Sequence, residues 1–371
     1  MYNNTIKVIF SINTKIKAMM MSGLVEYKRK GVIFMNSEKK LYPVKSKKKY
    51  GYIDKEGNVV IDFKFDYAEE FQGNLAIVAM DEKYGFINKC GEFEIEPNYD
   101  EVLQFSEGLA AIKLQGKNGY IDLNGKIVVE PKYEEANFFI DGRAAVKSGY
   151  MWGYIDNEGR EVIPPDFLDA SDFSEGLAAV QIGGKIAYID KEGKIIIDAN
   201  YDYAFAFKEG IAPVCNKGKY GYINNTGEII IPLKYSVAGE FSEGLAPIEI
   251  RGKYGFIDIH SEVIIKPTFQ WADGFYNSIA IICENEKYGC IDKAGTIIIP
   301  TKFEDIDIMS ENLIAVQIGE KWGYIDCSGE IVIEPIYEEA YEFTGGIARV
   351  EIGKKIGYIN KFGEYLWELQ S

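Results

Sequence analysis

The stretch KYGFINKCGEFEIEPNYDEVLQFSEGLAAIKLQG, from Lys83 to Gly116, decides the fold, because the chain repeats it. Segments equivalent to its first six residues recur every 34 residues without an insertion. They begin at Lys49, Lys83, Lys117, Met151, Lys185, Lys219, Lys253, Lys287, Lys321 and Lys355. A fixed period of this length predicts a tandem-repeat architecture in which each copy packs on its neighbours.

Three features of the repeat favour β-strands over helical pairs of the same period. Residues 119–122 and 127–129 form short segments rich in β-branched and aromatic side chains, which suit a pleated surface. Between them, Asp122-Leu123-Asn124-Gly125 has the Asp and the Gly that close a short hairpin. Pro131 and the frequent glycines would interrupt helices. Each copy is therefore predicted to be an antiparallel meander.

We predict three strands in each meander, such as residues 109–112, 119–122 and 127–129, followed by a return of about a dozen residues to the next copy. Ten complete meanders then follow one another between Leu41 and Trp367, and no meander is shared between the two chain ends. Because propellers usually share one, and because 34 residues is short for a four-stranded blade, we expect an open twisted solenoid. The alternative is a closed propeller-like ring.

The sequence divides into a repeat array at residues 41–371 and a segment, residues 1–40, that does not match the repeat. That segment is predicted to be a basic N-terminal arm or a degenerate hairpin that caps the first edge. Residues 1–49 carry twelve Lys and Arg against two Asp and Glu, whereas residues 50–371 carry 29 against 55. Since such an acidic array repels phosphate backbones, we expect no nucleic-acid partner.

The repeated residues resemble the bacterial WG-repeat family, also called KWG repeats. Lys321-Trp322-Gly323-Tyr324-Ile325-Asp326 matches the family signature, and residues 152–156 nearly do, while other copies replace Trp by Tyr or by Asn and Ile. The resemblance covers residues 41–367. It implies a β-rich repeat protein of a family without a well-established activity, and it transfers no catalytic residue.

The repeat favours a non-enzymatic scaffold that presents a repetitive β surface to a protein partner, whose identity the sequence does not reveal. An enzyme is disfavoured because the array has no irregular loops and the chain has one histidine, His260. Glu107 and its equivalents recur as turn residues rather than as one catalytic centre. We predict no catalytic, cofactor-binding or metal-binding residues.

The alternative function is binding of a carbohydrate or cell-surface polymer. Its candidate ligand-binding residues are Trp152, Tyr154, Trp322 and Tyr324, whose rings would form stacking platforms for a polysaccharide. The competing interpretation is that these rings fill the space between meanders. No apolar run reaches 18 residues and the first residues lack the apolar core of a signal peptide, so we expect no membrane span and a cytoplasmic location.

Overall fold

Each copy of the repeat folds into a small antiparallel sheet, a blade, and the computed structural model describes residues 40–370 as ten such blades. The strands of blades 1 to 5 are β1 (Tyr42–Ser46), β2 (Lys49–Ile53) and β3 (Val59–Phe65); β4 (Tyr67–Ala68), β5 (Ala76–Met80), β6 (Lys83–Ile87) and β7 (Phe93–Tyr99); β8 (Glu101–Val102), β9 (Leu109–Leu114), β10 (Lys117–Asp122) and β11 (Ile127–Tyr133); β12 (Glu135–Ala136), β13 (Ala144–Ser148), β14 (Met151–Ile155) and β15 (Glu161–Phe167); and β16 (Ala178–Ile182), β17 (Lys185–Ile189) and β18 (Ile195–Tyr201).

The strands of blades 6 to 10 are β19 (Tyr203–Ala204), β20 (Ile211–Asn216), β21 (Lys219–Asn224) and β22 (Ile229–Tyr235); β23 (Val237–Ala238), β24 (Ala246–Ile250), β25 (Lys253–Ile257) and β26 (Val263–Phe269); β27 (Trp271–Ala272), β28 (Ile279–Glu284), β29 (Lys287–Asp292) and β30 (Ile297–Phe303); β31 (Asp305–Ile306), β32 (Leu313–Ile318), β33 (Lys321–Asp326) and β34 (Ile331–Tyr337); and β35 (Glu339–Ala340), β36 (Ile347–Ile352), β37 (Lys355–Asn360) and β38 (Tyr365–Gln370).

The three long strands of each blade are those predicted, but among residues 40–370 eight of the ten sheets gain a fourth strand of two residues. In blade 3, β8 pairs with β9 and is itself part of the predicted return. Blade 5 keeps one bridge at this place, between Ala170 and Val180. The return therefore does not loop freely, because it runs along the first long strand of the next blade and pairs with its backbone.

We call the six residues that follow each third long strand the lead-in segment of the next blade. The nine lead-in segments are residues 66–71, 100–105, 134–139, 168–173, 202–207, 236–241, 270–275, 304–309 and 338–343. Their last residue is Phe or Met, and it packs into the core. The ring of Phe139, for instance, lies 4.9 Å from that of Tyr120 in the preceding blade.

The glycine of the Trp-Gly motif shapes the sheet. A Cβ on Gly119 would lie 2.3 Å from the carbonyl oxygen of Val129, in the third strand of the same blade. The register between these strands shifts here, from Tyr120 opposite Val129 to Asn118 opposite Tyr133. The glycine thus permits a bulge that turns the third strand toward the next blade. This close approach of two strands occurs within the blade itself.

The expected open solenoid is wrong, because blades 1 and 10 pack together and close a propeller ring. The hydroxyl of Tyr42 donates to the carbonyl of Thr344 at 2.9 Å, and that of Tyr358 donates to the carbonyl of Pro43 at 2.7 Å. The rings of Phe63 and Trp367 stack with their centroids 5.5 Å apart. Closure therefore uses side-chain packing between two complete meanders, so a shared blade is not required.

We call the contact between blades 1 and 10 the seam, and larger side chains there make this packing possible. Tyr42 stands where eight of the nine other copies have Ala, and Trp367 stands where the others have Ile or Val. Tyr42, Val44, Ile53, Ile347 and Tyr358 form the buried cluster between the two blades. Apart from Lys40, the predicted N-terminal arm or capping hairpin at residues 1–40 lies outside the described residues.

Candidate functional site

The tyrosine of each predicted Trp-x-Tyr pair is a core residue. Tyr154 and Tyr324 are buried, and their hydroxyls donate to the carbonyls of Ser171 at 2.7 Å and Tyr341 at 2.8 Å. Each of these carbonyls belongs to the next lead-in segment. Burial raises the pKa of both phenols well above its usual range. In this structure the two rings hold the lead-in segments and offer no exposed face to a ligand.

The two tryptophans of the predicted pairs lie in separate blades. Trp152 is buried in blade 4, where the ammonium of Lys147 lies 5.5 Å from its ring centroid. Trp322 is half-buried in blade 9, opposite Tyr337 of the third strand. Four blades lie between the two tryptophans in either direction, so the ring does not bring the predicted pairs together.

The recurrent hairpin Asp and Asn are turn residues. The Oδ1 atom of Asp122 accepts the backbone N–H groups of Asn124 and Lys126, both at 2.9 Å. Asn224 accepts two N–H groups in the same way, through its amide oxygen. Because an amide oxygen replaces a carboxylate without changing these bonds, the position serves turn geometry rather than charge.

The recurrent Glu of the Ser-Glu-Gly turns joins neighbouring blades. The carboxylate of Glu107 accepts the backbone N–H groups of Asp141 at 2.8 Å and Gly142 at 2.9 Å, in the next turn around the ring. Within residues 40–370, no group of three or more His, Cys, Asp and Glu is arranged to hold a metal ion. The repeated acidic residues thus have structural partners.

The lead-in segments carry side chains that differ from blade to blade. Their second, fourth and fifth residues vary widely: the second, for example, is Tyr67, Glu101 or Trp271. The nine segments together contain eighteen Asp and Glu and no Lys, Arg or His. We call the side chains at these three varying positions the lead-in surface. It is the candidate functional site, because its side chains differ from blade to blade and its charged groups are all acidic.

The lead-in surface exposes aromatic rings and carboxylates together. Tyr67, Tyr203, Phe205 and Tyr341 are between 39% and 64% exposed. The six acidic residues at the first position of the lead-in segments do not belong to this surface. They pair with the lysine that begins the second long strand of the preceding blade, as Asp100 does with Lys83. The varying positions carry the remaining twelve carboxylates.

Neighbouring lead-in segments contact each other through polar side chains. The amide of Gln104 donates to the carboxylate of Glu69 at 2.7 Å, and the amide of Asn137 donates to that of Asp172 at 3.4 Å. Burial raises the pKa of four carboxyls on the surface. These are Asp172, Glu240, Asp273 and Glu342. A surface that crowds acidic groups in this way attracts cations.

Three tyrosines form an aromatic row at one place on the ring. The ring centroid of Tyr67 lies 6.3 Å from that of Tyr50 and 5.9 Å from that of Tyr84. Tyr67 is exposed and its hydroxyl donates to the carboxylate of Glu69 at 3.0 Å. The row combines apolar ring surface with a polar edge, which suits a sugar or a peptide side chain.

Sequence reasoning missed the lead-in surface because it looked for repeated aromatic pairs. Repetition marks the positions that every blade needs for packing, so Tyr154 and Tyr324 were the wrong place to look for exposure. The available signal was the opposite one: variation between aligned copies, together with the absence of basic residues from the nine segments.

Comparison with known proteins identifies the repeat. The sequence model of the WG containing repeat matches residues 50–84, 84–117, 119–151, 152–185, 187–220, 220–254, 254–288, 288–322 and 322–355. No curated protein matches the chain. In residues 40–370, no helix is long and apolar enough to cross a membrane.

Solved structures resemble the fold at low sequence identity. A eukaryotic initiation factor aligns with a TM-score of 0.53 and 13% identity, over 91% of this chain and 98% of that protein. BamB from Moraxella catarrhalis aligns with a TM-score of 0.38 and 11% identity, over 72% and 95%. Hsv2p from Kluyveromyces lactis gives 0.35 and 10%, over 58% and 88%. The first of these likenesses supports the fold and nothing further.

Proposed function

Because the chain belongs to the WG-containing repeat family, whose model matches nine consecutive segments, we propose that it is a non-enzymatic scaffold that binds a basic, extended segment of a partner protein on its lead-in surface. A repeat propeller of this kind is suited to protein interaction. The observation that carries the proposal is the composition of the nine lead-in segments, with eighteen acidic residues and no basic one.

Two properties of the lead-in surface favour a protein segment over a small ligand. The acidic groups are distributed over many blades, so one long ligand contacts several of them at once. Exposed rings such as Tyr203 and Phe205 lie among them and supply the apolar contacts that hold a peptide. Lysine and arginine combine a cationic head with an apolar stem, and therefore suit both kinds of group.

A charge-matched pair of variants tests this proposal against simple attraction to an acidic protein. The first carries Glu69→Gln, Glu101→Gln, Glu135→Gln and Glu339→Gln on the lead-in surface. The second carries Glu96→Gln, Glu130→Gln, Glu161→Gln and Glu334→Gln on third strands, where each residue is exposed. Both lose four negative charges, so long-range electrostatics change equally.

Binding of a panel of Lys- and Arg-rich peptides is measured by fluorescence anisotropy at two salt concentrations. We expect the lead-in variant to weaken the tightest peptides about tenfold or more, and the third-strand variant to change them about twofold or less. Equal losses of affinity in both variants would show that binding depends on net charge alone. Absence of binding by every basic peptide would refute the proposal.

The row of Tyr50, Tyr67 and Tyr84 supports a second candidate function, carbohydrate binding. Sugar rings stack on aromatic side chains, and Tyr67 exposes its ring between those of Tyr50 and Tyr84. A glycan array probed with the wild-type chain and with Tyr67→Ala tests it. If the wild type retains a polysaccharide and Tyr67→Ala does not, this function is supported. If both retain it equally, the polysaccharide binds at another place.

A further inference from the structure

Blade 4 holds a cation of its own between a carboxylate and an aromatic ring. The ammonium of Lys147 donates to the carboxylate of Glu135 at 2.6 Å and lies 5.5 Å from the ring centroid of Trp152. The register places these three side chains opposite one another, since Glu135 pairs with Lys147 and Lys147 pairs with Trp152. An acid, a cation and a ring therefore meet beside the lead-in surface of this blade.

Blade 10 forms the same combination from different residues. Glu351 stands at the position that Lys147 has in blade 4, and the guanidinium of Arg349 donates to its carboxylate at 2.5 Å. Arg349 also lies 4.9 Å from the ring centroid of Tyr341, whose hydroxyl donates to Glu351 at 3.1 Å. In this blade too, the chain supplies the cation that covers the ring.

Blade 7 has the acid and a ring but not the cation. Glu249 is the equivalent of the acid of blade 10, whereas Pro247 and Gly239 stand where that blade has its arginine and its tyrosine. The cross-strand neighbours of Glu249 are Val237 and Tyr254, so no lysine or arginine lies opposite it. The cationic side chain that the other two blades supply is therefore missing here.

The carboxylate of Glu249 keeps acceptor capacity for a ligand. It accepts the backbone N–H of Gly252 at 3.1 Å and forms no ion pair with a lysine or arginine of residues 40–370. A carboxylate offers about four lone-pair sites, so a cationic donor can still bind. Tyr254 is half-buried, and the nearby charge of Glu249 adds to burial in raising the pKa of its phenol. The acid and the ring thus act on the same place.

A missing ring leaves room beside Tyr254. In blade 2, the ring centroid of Tyr67 lies 5.9 Å from that of Tyr84. By the 34-residue period, Val237 and Tyr254 take these two places in blade 7. Because valine is shorter and has no ring, the side of Tyr254 that a second ring would cover is left for a ligand.

We propose that blade 7 is a subsite for one Lys or Arg of the partner segment, whose cationic head pairs with Glu249 while its stem lies on the ring of Tyr254. This inference rests on the proposed function, and it specifies one place beside the lead-in surface. The chain itself indicates the occupant, since Lys147 and Arg349 hold the corresponding cations in blades 4 and 10. A cation–π contact and a charge-assisted hydrogen bond would act there together.

Fluorescence anisotropy of the full chain tests the subsite, with a labelled peptide of alternating Lys and Val as the probe. Glu249→Gln removes the charge but keeps an acceptor for Gly252, and Tyr254→Leu removes the ring but keeps an apolar side chain. We expect each to weaken binding about fivefold or more, and Tyr254→Phe, which retains the ring, to bind like the wild type. The matched control Glu262→Gln removes an exposed charge beside the hairpin of the same blade and should change the affinity less than about twofold.

A further variant fills the subsite instead of removing its groups. Gly239→Tyr/Pro247→Arg transfers the tyrosine and the arginine of blade 10 to blade 7, where the new arginine would pair with Glu249 from within the chain. Replacing Pro247 also removes the Cγ atom that a Cβ on Gly239 would meet at 2.7 Å. Circular dichroism should show an intact sheet, and the probe should bind about fivefold or more weakly although Glu249 and Tyr254 are both present.

The outcomes separate this inference from the proposed function. Probe binding that Glu249→Gln, Tyr254→Leu and the filled variant all leave unchanged would overturn the subsite and leave the proposed function standing. Equal losses in Glu249→Gln and Glu262→Gln, or equal affinity for a probe in which norleucine replaces lysine, would also overturn it, because no specific cation would then be bound. Failure of every basic peptide to bind would refute both.

Discussion

Replacement of Tyr42 by alanine perturbs the packing between blades 1 and 10. Eight of the nine other blades have alanine at this position. Tyr42 is only 2% exposed, because its ring lies between blades 1 and 10, with its centroid 6.0 Å from that of Tyr358. Its hydroxyl donates to the carbonyl of Thr344 at 2.9 Å, across 302 residues of sequence. Tyr42→Ala therefore removes both a buried ring and a hydrogen bond that join β1 to blade 10.

The expected cost follows from what the side chain contacts. Truncating a buried aromatic side chain to alanine costs about 3–5 kcal/mol, because apolar burial is lost and a cavity remains. The hydrogen bond contributes about 1 kcal/mol of this, which Tyr42→Phe isolates. If the array were open, Tyr42 would lie at a free end, and either substitution would cost well under 1 kcal/mol.

Urea unfolding followed by circular dichroism measures the cost. Tyr150→Ala is the matched control, since Tyr150 is 90% exposed in a turn of blade 4 and should change the free energy of unfolding by less than about 0.5 kcal/mol. Equal effects of Tyr42→Ala and Tyr150→Ala would refute the reasoning, because they would show that Tyr42 is not buried between two blades.

Three further predictions concern the scaffold. Burial raises the pKa of core tyrosines such as Tyr188 and Tyr222 above the ordinary value of about 10, so the folded state keeps their protons when the unfolded state loses them. The contribution of these tyrosines to the free energy of unfolding should be constant below about pH 10 and fall as the pH rises further, as measured by urea unfolding with absorbance at 295 nm. Gly119→Ala should cost about 1–3 kcal/mol, because its Cβ meets the Val129 carbonyl, and a loss below 0.5 kcal/mol would contradict the bulge. Iodoacetamide at pH 8 should modify the exposed Cys90 and Cys327 in the folded protein and spare Cys290, because burial raises the pKa of the Cys290 thiol to about 12. Mass spectrometry measures the modification, and rapid loss of the Cys290 thiol would contradict its packing.

The elements within one copy could be predicted because local chemistry determines them. Asp122 and Gly125 close the hairpin wherever they occur together, and the alternating apolar residues around Tyr120 produce strands. The fourth strand was not predicted, because residues such as Glu101 and Val102 have no strand pattern of their own. They become a strand only because Phe105, whose ring centroid lies 4.8 Å from that of Phe86, holds the return against the next blade.

Ring closure depended on contacts between residues more than 300 positions apart, which the period does not encode. The first and last copies differ from the others at Tyr42 and Trp367. These two differences are the signs in the sequence that the two blades pack together. Sequence reasoning treated the lack of a shared blade as a sign of an open array. Packing of two complete blades provides the same closure through Phe63 and Trp367.

Chemical cross-linking of the native chain tests the closed ring most directly. Lys48 lies in the turn of blade 1 and Lys354 in the turn of blade 10, and both are exposed. In the ring these turns belong to neighbouring blades, so a short lysine-reactive reagent should join them within a monomer isolated by gel filtration. In an open array, nine steps of about 10 Å between stacked sheets would separate them by roughly 90 Å. Absence of this cross-link, while Lys83 and Lys117 of adjacent blades 2 and 3 are joined to each other, would contradict the account.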